Sequence, residues 1–267
     1  MRWGDILVAA AGLMIGGGIL LAERRRPLRQ QTRPALRRNL RNAALGAGCA
    51  IVVAAVEVPL TRRIAAGNAR HGRGFAQLLP RPLRPIGAIA GMDYGFYWWH
   101  VATHKVPCLW RFHRVHHVDR DMDASTAIRF HPLDMLVSLP WRLAQVRLSG
   151  ADPRALVMWR HFFNASILFH HSNWRLPGRL DAMLSRIVTT PEMHGIHHSR
   201  IRSQRDSNYT SGLSIWDRLH GTFRSTPPPE RIVIGVAERA TRDDMPIGPA
   251  LTAPFHPTPA SLPPTGR

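Results

Sequence analysis

Histidine recurs in this chain in patterns whose spacing suits metal binding. The segments "WRFHRVHHVDRD" and "PEMHGIHHSR" carry the same H-x-x-H-H pattern, once from residue 113 and once from residue 194. In a helix, residues three and four apart project from the same side, so we expect the three imidazoles of each pattern to converge on one face. Neutral imidazole is a good ligand for Zn, Cu, Fe and Ni. Two copies of so specific a pattern are improbable by chance in a chain with 15 histidines among 267 residues, so we interpret them as metal ligands.

A third pair, in "WWHVATHKVP", has the same four-residue spacing and brings the candidate ligands to eight. A structural zinc site is closed by about four ligands that usually include cysteine, so eight histidines indicate two metal ions. The absence of H-E-x-x-H and of Glu-x-x-His argues against a zinc peptidase and a soluble carboxylate di-iron bundle. We interpret His71, His220 and His256 as ordinary packed or surface residues. The eight candidates are His100, His104, His113, His116, His117, His194, His197 and His198.

The charge of the chain indicates arginine-rich loops beside a membrane. The formal net charge is +19, from 36 Lys+Arg against 17 Asp+Glu. Such a charge also suits nucleic acid, but no zinc-finger, RRM-like or helix-turn-helix pattern organises it, so we predict no nucleic-acid partner. Two cysteines, Cys49 and Cys108, are too few for a disulfide framework, and we expect both to be reduced.

The apolar segments predict an all-α integral membrane protein. We expect about four transmembrane or re-entrant helices and a cytoplasmic-side helical cap that holds the dimetal site. Eight arginines between Arg24 and Arg41 place that loop in the cytoplasm. We therefore expect a multi-pass protein of a bacterial inner membrane whose active site faces the cytoplasm. The predicted spans lie near residues 6–22, 43–60, 86–99 and 135–171. They belong to a predicted catalytic domain of residues 1–226. A Pro-rich tail of residues 227–267 follows and contains the β-like run "RIVIGVA".

Asp93 is a candidate for orienting a metal ligand. With Tyr97, His100 and His104 it is spaced 4, 3 and 4 residues apart, which makes one continuous stripe on a helix. A carboxylate inside an apolar segment is costly unless it is paired. Metal-bound histidines commonly donate their second N–H to such a group. We predict that Asp93 accepts a hydrogen bond from a metal-binding histidine, with an interfacial arginine as the alternative partner.

Five segments together resemble the fatty acid hydroxylase / sterol desaturase superfamily, in order from about Asp93 to Phe223. They are "DYGFYWWHVATHKVPCLWRFHRVHH", "RFHPLD", "FHHSNWRLP", "TPEMHGIHHS" and "DSNYTSGLSIWDRLHGTF". The resemblance implies an integral-membrane di-iron oxygenase that uses two Fe2+ ions and takes O2 as co-substrate. It also implies a lipid-like substrate, such as a sterol or fatty acyl chain, that is hydroxylated or desaturated.

The resemblance also extends the set of site residues. It implies His171 as a ninth ligand and places His131, which precedes Pro132 at a helix start, outside the ligands but near them. His161 and His170 stay undecided. Two departures from the family pattern are Asp134, where the family often has Glu, and His220, where it usually has Phe. We expect them to affect the fit of the substrate and to leave the metal ligands untouched.

The chain needs an external electron donor if it is such an oxygenase. It has no dinucleotide-binding, haem-attachment or ferredoxin cysteine motif. We therefore expect a ferredoxin, a cytochrome b5-like protein or a reductase as partner. The basic residues around Arg111, Arg114 and residues 200–205 suit the docking of an acidic carrier, and a solvated basic face is the equal alternative. The alternatives are a lipid desaturase and a metal-binding membrane protein without catalysis, such as a transporter. Transporters bind ions near the middle of the membrane, whereas these ligands lie at the ends of apolar segments, which favours the enzyme.

Overall fold

A computed structural model describes residues 3–236 and 246–256, and these residues form helices, turns and loops without a strand. Extended backbone pairs only at three isolated bridges, Pro27–Trp174, Val188–Leu213 and Ser199–Ile234. The prediction of an all-helical protein is therefore confirmed for this part of the chain. The described part of the "RIVIGVA" segment is not a strand, since Ile234 alone makes a bridge there.

Within residues 3–236 and 246–256, five long helices and eight short ones follow one another. The long helices are α1 (Trp3–Arg25), α2 (Ala35–Val52), α3 (Val58–His71), α4 (Arg84–Lys105) and α8 (Pro153–His171). The short ones are α5 (Pro107–His117), α6 (Pro132–Val137), α7 (Leu139–Ser149), α9 (Gly178–Leu184), α10 (Pro191–His197), α11 (Arg202–Arg205), α12 (Ile215–Leu219) and α13 (Ile247–Thr252). A π-helical turn, Val53–Glu57, joins α2 to α3. The 3₁₀ turns are Phe75–Leu78, Arg81–Leu83, Ala124–Ile128, Pro229–Arg231 and Ala253–Phe255.

Proline starts the helices that carry most of the histidines. α5, α8 and α10 each begin at a proline, whose fixed φ suits the first turn and whose missing N–H has no partner there anyway. Asp152 caps α8 by accepting a hydrogen bond from Ala155 N at 2.7 Å. Thr190 caps α10 in the same way through Met193 N at 3.4 Å. Local sequence therefore sets where these helices begin, and with it the direction of their histidines.

One helical stretch is long and apolar enough to cross a membrane. It runs over Ala35–Leu78, 44 residues, and contains an 18-residue window of mean hydropathy 2.0. A spanning helix needs about 20 apolar residues, so the length suffices. Among the described residues this stretch alone meets both conditions, and it contains the predicted span 43–60. The other spans stay predictions and fall in α1, α4 and α6–α8.

The predicted segment 135–171 is not one continuous helix. α7 ends at Ser149 and α8 begins at Pro153, with Gly150 between them in the left-handed conformation (φ +74°). A Cβ on Gly150 would lie 2.8 Å from the carbonyl carbon of Gly74, which also has positive φ. The two glycines thus allow a close backbone crossing at the turn between α7 and α8.

The N-terminal helices are held to the site by buried polar contacts. Arg38 on α2 is 1 % exposed and pairs with Asp119 at 3.3 Å and with Asp123. Asp121 accepts hydrogen bonds from the backbone of Thr32. These three aspartates follow α5 directly. Their contacts therefore hold α2 beside the end of the helix that carries the first H-x-x-H-H pattern.

The described parts of the Pro-rich tail pack against the helices. Ile232 and Ile234 are buried in a cluster with Met122 and Ile196. Farther along, the buried Arg114 donates a hydrogen bond to the carbonyl of Ala253 at 2.5 Å. This part of the tail therefore covers α5 and α10, and the domain boundary at residue 226 stays a prediction.

Candidate metal centre

The nine histidines that the sequence and the resemblance nominate come together in two buried groups. Within each group the candidate ligand nitrogens all lie within 4.8 Å of one another. All nine residues are less than a tenth exposed. The first group is His100, His104, His113, His117 and His197, and the second is His116, His171, His194 and His198.

Each H-x-x-H-H pattern divides its histidines between the two groups. On α5, His113 and His117 face the first group and His116 faces the second. Residues four apart stay on one helix face, whereas the neighbouring residue is rotated by about 100°. We expected all three imidazoles of a pattern to converge on one side, and this expectation is wrong. On α10 the division is reversed, with His197 in the first group and His194 and His198 in the second.

Four helices meet at the two groups. His100 and His104 occupy the last turns of α4, and His171 is the last residue of α8. The two H-x-x-H-H helices, α5 and α10, supply the rest. Each group contains histidines from both patterns, so neither group can form unless α5 and α10 are both in place.

Backbone carbonyls set the protonation of facing histidines in the first group. His100 Nδ1 donates to the carbonyl of Tyr209 at 2.6 Å, and His197 Nδ1 donates to that of Ser207 at 2.8 Å. A carbonyl can only accept, so the proton of each neutral ring is on Nδ1 and the lone pair on Nε2. These two Nε2 atoms are 3.0 Å apart. Two lone pairs facing at this distance repel each other unless a cation lies beside them, which fits a bound metal ion.

The second group repeats this arrangement. His116 Nδ1 donates to the carbonyl of Arg129 at 3.2 Å, and His171 Nδ1 donates to that of Ile167 at 2.7 Å. Their Nε2 atoms are 3.0 Å apart. Each group therefore contains a pair of histidines whose lone pairs are directed at one another, and the donor set fits two metal ions.

Burial keeps His117 and His198, which lie outside the predicted spans, neutral. It lowers the pKa of His117 and of His198 well below the ordinary value of about 6.5, and the charge of neighbouring histidines lowers both further. A ring with a lowered pKa is unprotonated at neutral pH. Both side chains therefore have a lone pair available for a metal ion.

Two carboxylates lie beside the first group. Asp134 Oδ2 is 4.0 Å from His113 Nδ1, and Asp206 Oδ1 is 3.9 Å from His104 Nδ1. We expected Asp134 to leave the metal ligands untouched, and its position next to His113 corrects this. Asp206 is not apparent from the sequence. It follows α11 and lies about a hundred residues from His104 on α4, so no local spacing connects the two residues.

Asp93 is not the histidine partner that its helical stripe predicts. Its Oδ2 accepts hydrogen bonds from Leu213 N at 2.9 Å and from Trp216 Nε1 at 2.8 Å. The carboxylate thus anchors the loop before α12 and not a ligand. Asp93 does lie on α4 together with His100 and His104. Its carboxylate, however, contacts Leu213, which is 120 residues farther along the chain.

Asp217 positions the carbonyl that holds His100. It accepts hydrogen bonds from Tyr209 N at 2.9 Å and from Thr210 N at 3.0 Å. The loop that begins at Asn208, a residue with φ +50°, is held in this way. In the sequence, no spacing marks Asp217 as functional, although its segment carries part of the family resemblance.

The remaining histidines lie outside both groups. His131 caps α6, as its position before proline predicts, and its Nε2 lies 3.1 Å from the carbonyl of Leu251. His161 is exposed on α8. His170 is fully buried with its ring 4.0 Å from that of His194, yet it belongs to neither group. The ring of His220 stacks on Tyr97 at 5.0 Å, away from the metal ligands as expected.

A cavity of about 230 Å³ opens onto both groups. His100 and His113 of the first group line it, and so do His116, His171 and His194 of the second. Five aromatic side chains line it, together with four charged ones: Phe96, Trp99, Phe130, Trp159 and Phe163, and Glu57, Asp134, Arg142 and Arg160. The aromatic part of the lining suits a hydrocarbon chain, because it removes apolar surface from water.

The chain belongs to the fatty acid hydroxylase family. Residues 86–222, just over half of the 267, match the model of this family. The match contains all nine histidines of the two groups, which lie between residues 100 and 198. No solved structure matches the chain.

Several similar proteins are named as lipid hydroxylases or monooxygenases. Ornithine lipid hydroxylase OlsE of Rhizobium tropici is 29% identical over 202 residues, which cover 75% of this chain and 57% of that protein. Alkylglycerol monooxygenase of Homo sapiens is 31% identical over 153 residues, 56% of this chain and 32% of that protein. Cholesterol 25-hydroxylase of Homo sapiens is 30% identical over 143 residues, 52% of this chain and 50% of that protein. The chain therefore spans between about a third and just over half of these relatives' own lengths.

Proposed function

We propose that this protein is an O2-dependent di-iron enzyme that hydroxylates an unactivated C–H bond of a lipid-like substrate. Family membership and the names of the relatives support lipid hydroxylation. The observation that carries the metal part is the pair of facing Nε2 lone pairs in each group, at 3.0 Å. An apolar cavity that opens onto both groups supports a hydrocarbon substrate.

Each group of histidines would hold one Fe2+ ion. Bound iron would supply the redox chemistry that activates O2, which no amino-acid side chain can do. The protein keeps the rings neutral by burial and directs Nε2 inward through the carbonyls of Tyr209, Ser207, Arg129 and Ile167. It thus pre-organises the ligands at the cost of burying polar groups.

The cavity walls would position the substrate and exclude water. Phe130 stacks on the ring of His116 with centroids 4.3 Å apart, so a wall of the cavity and a candidate ligand support each other. Thr103 also lines the cavity, but its hydroxyl donates to the carbonyl of His100 at 2.7 Å and so is occupied. Beside the candidate metals the cavity therefore offers mainly apolar surface to a substrate.

The electron donor would be a separate protein, and part of its predicted docking face needs correction. Arg114 and Arg205 are buried, the first against Ala253 and the second over the ring of Trp110 at 4.5 Å. Arg111 and Arg202 remain exposed. We propose that these exposed arginines contribute to the docking of an acidic carrier.

Metal content and oxygen labelling together test the proposed function. Detergent-purified wild type should contain about two iron ions per chain, and His116→Ala and His197→Ala should each contain less. Cells that express the wild type under ¹⁸O-labelled O2 should accumulate a lipid with one labelled oxygen, absent with either variant. A new alkene without label would indicate desaturation instead. Folded protein with less than one metal ion per chain, unchanged by both substitutions, would overturn the di-iron proposal and favour a protein without oxygenase activity.

A further inference from the structure

The cavity that begins at the metal centre ends at a second polar cluster. Glu57, in the π-helical turn after α2, accepts a hydrogen bond from Arg142 Nη1 at 3.0 Å and another from Arg160 Nη2 at 3.5 Å. All three side chains line the cavity. None of them belongs to the histidine groups, and the metal chemistry has no use for them.

Two helix faces connect the metal centre with this cluster. Along α2 and the π turn, lining residues follow at intervals of 3, 4 and 4: Gly46, Cys49, Val53 and Glu57. Along α8 the lining residues are Arg160, Phe163, Asn164, Ile167 and His171. Each series spans 11 residues, which is about 16 Å at the 1.5 Å rise of a helix. The two helices run in opposite directions, so Glu57 meets Arg160 at one end, and His171 lies at the other.

This distance leaves room for an alkyl chain between the Glu57 cluster and the metal centre. A lipid chain extended along the cavity would reach from one to the other, past the aromatic side chains Phe163 and Phe96.

The cluster has one positive charge in excess. It contains two guanidinium groups, of Arg142 and Arg160, and one carboxylate, of Glu57. The other carboxylate of the cavity, that of Asp134, lies at the metal end beside His113. Arg160 also donates to Thr61 Oγ1 at 2.7 Å, and Arg142 donates to Ser138 Oγ at 2.9 Å. The side chains of Arg142 and Arg160 are 19% and 20% exposed, so the excess charge is partly buried, and an anionic ligand would offset the cost of that burial.

We propose that the Glu57–Arg142–Arg160 cluster binds the anionic headgroup, a carboxylate or a phosphate, of a substrate with an extended alkyl chain. The chain then runs along α2 and α8 and presents a carbon about 16 Å away to the metal centre. This inference rests on the proposed function and narrows its substrate class. It argues against a sterol, whose hydroxyl carries no charge for the arginines to bind.

Ligand binding to metal-free protein tests the proposal. Chelator-treated wild type in nanodiscs of uncharged lipid should bind radiolabelled palmitate or hexadecyl phosphate, and bind hexadecanol and cholesterol more weakly. Arg160→Gln should raise the Kd of the anionic probe about tenfold or more, since the substitution removes a charged hydrogen-bond donor. Whether palmitate or hexadecyl phosphate binds more tightly distinguishes a carboxylate from a phosphate headgroup.

Matched variants separate a binding role from a structural one. Arg160→Gln leaves Glu57 paired with Arg142, so the cluster becomes neutral and the fold has no new unpaired charge. Arg154→Gln changes an exposed arginine of the same helix and should bind as wild type does. Glu57→Gln adds to the excess positive charge and should retain or tighten anion binding.

Several results would overturn the proposal. They are equal binding of hexadecanol and palmitate, no anionic probe bound by the wild type, and unchanged binding in Arg160→Gln. Because the assay uses no metal, a wild type that binds palmitate but no iron would refute the di-iron function alone. A wild type that binds iron but no anion would refute the headgroup site alone.

Discussion

At the residue scale, the site depends on which nitrogen of each histidine faces inward. Carbonyls of the backbone take the Nδ1 protons of four histidines, two in each group. No side chain is needed for this orientation. The side chains of the carbonyl-bearing residues therefore take no part in orienting the imidazoles, whereas loss of an imidazole removes a ligand directly.

Double variants test the division of the histidines into two groups. His116→Ala/His198→Ala removes two ligands of the second group and should leave about one metal ion per chain, because the first group keeps all five histidines. His116→Ala/His117→Ala removes one ligand from each group, and both sites should be weakened. Metal analysis after gel filtration measures the difference. Exposed His161 supplies the control, since His161→Ala should keep the wild-type content. Equal loss of metal in the two double variants would show that the groups are not independent sites.

Asp93 should act on stability and not on metal binding. Asp93→Ala leaves Leu213 N–H and Trp216 Nε1–H without their acceptor, and a buried unpaired donor costs about 1–3 kcal/mol. The thermal midpoint in detergent should fall, with iron content retained in the folded fraction. Asp93→Asn keeps an acceptor oxygen and should lose less. Iron lost at an unchanged thermal midpoint would instead support the histidine-partner role that the helical stripe predicts.

At the element scale, α10 is fitted closely against the loop that follows α1. A Cβ on Gly195 would lie 2.5 Å from Arg29 Cζ, which is closer than real contacts allow. Gly195→Ala should therefore displace the Arg29 guanidinium from its place against α10, at a cost of about 1–3 kcal/mol, and reduce both thermal stability and iron content. Gly178→Ala is the matched control, because a Cβ there has open space. The double variant Gly195→Ala/Arg29→Ala should recover both properties, and failure to recover them would mean that Arg29 is not the obstacle.

What the sequence predicts at this scale is local. Helical spacing identifies the histidines of α4, α5 and α10, and proline marks where these helices start. The partner of Asp93, the contact of Asp134 with His113 and the packing of Arg29 on Gly195 join residues that are far apart in sequence or on unrelated elements, so no periodicity encodes them. The break at Gly150 is similar, because its left-handed turn depends on a close approach to Gly74. Long-range packing therefore determines these side-chain partners and this helix break, which local sequence patterns do not specify.

At the scale of the whole molecule, ion pairs connect the apolar stretch Ala35–Leu78 to the helices around the metal centre. Arg38 on α2 pairs with the aspartates behind α5, and Glu57, farther along the same stretch, meets α7 and α8. The end of this stretch near the metal centre is also the end that follows the arginine-rich loop. If that loop is cytoplasmic, the metal centre lies on the cytoplasmic side.

The two native cysteines make this orientation testable without engineered labels. Cys108, in the first turn of the histidine helix α5, is exposed, whereas Cys49 is buried. A membrane-impermeant maleimide should therefore modify Cys108 in inverted inner-membrane vesicles and leave the protein unmodified in right-side-out vesicles, as measured by intact mass. Cys108→Ser should abolish labelling in both preparations, which excludes reaction at Cys49. Labelling of the wild type in right-side-out vesicles alone would place α5 and the metal centre on the opposite face, and the positive-inside argument from the arginine loop would then be wrong.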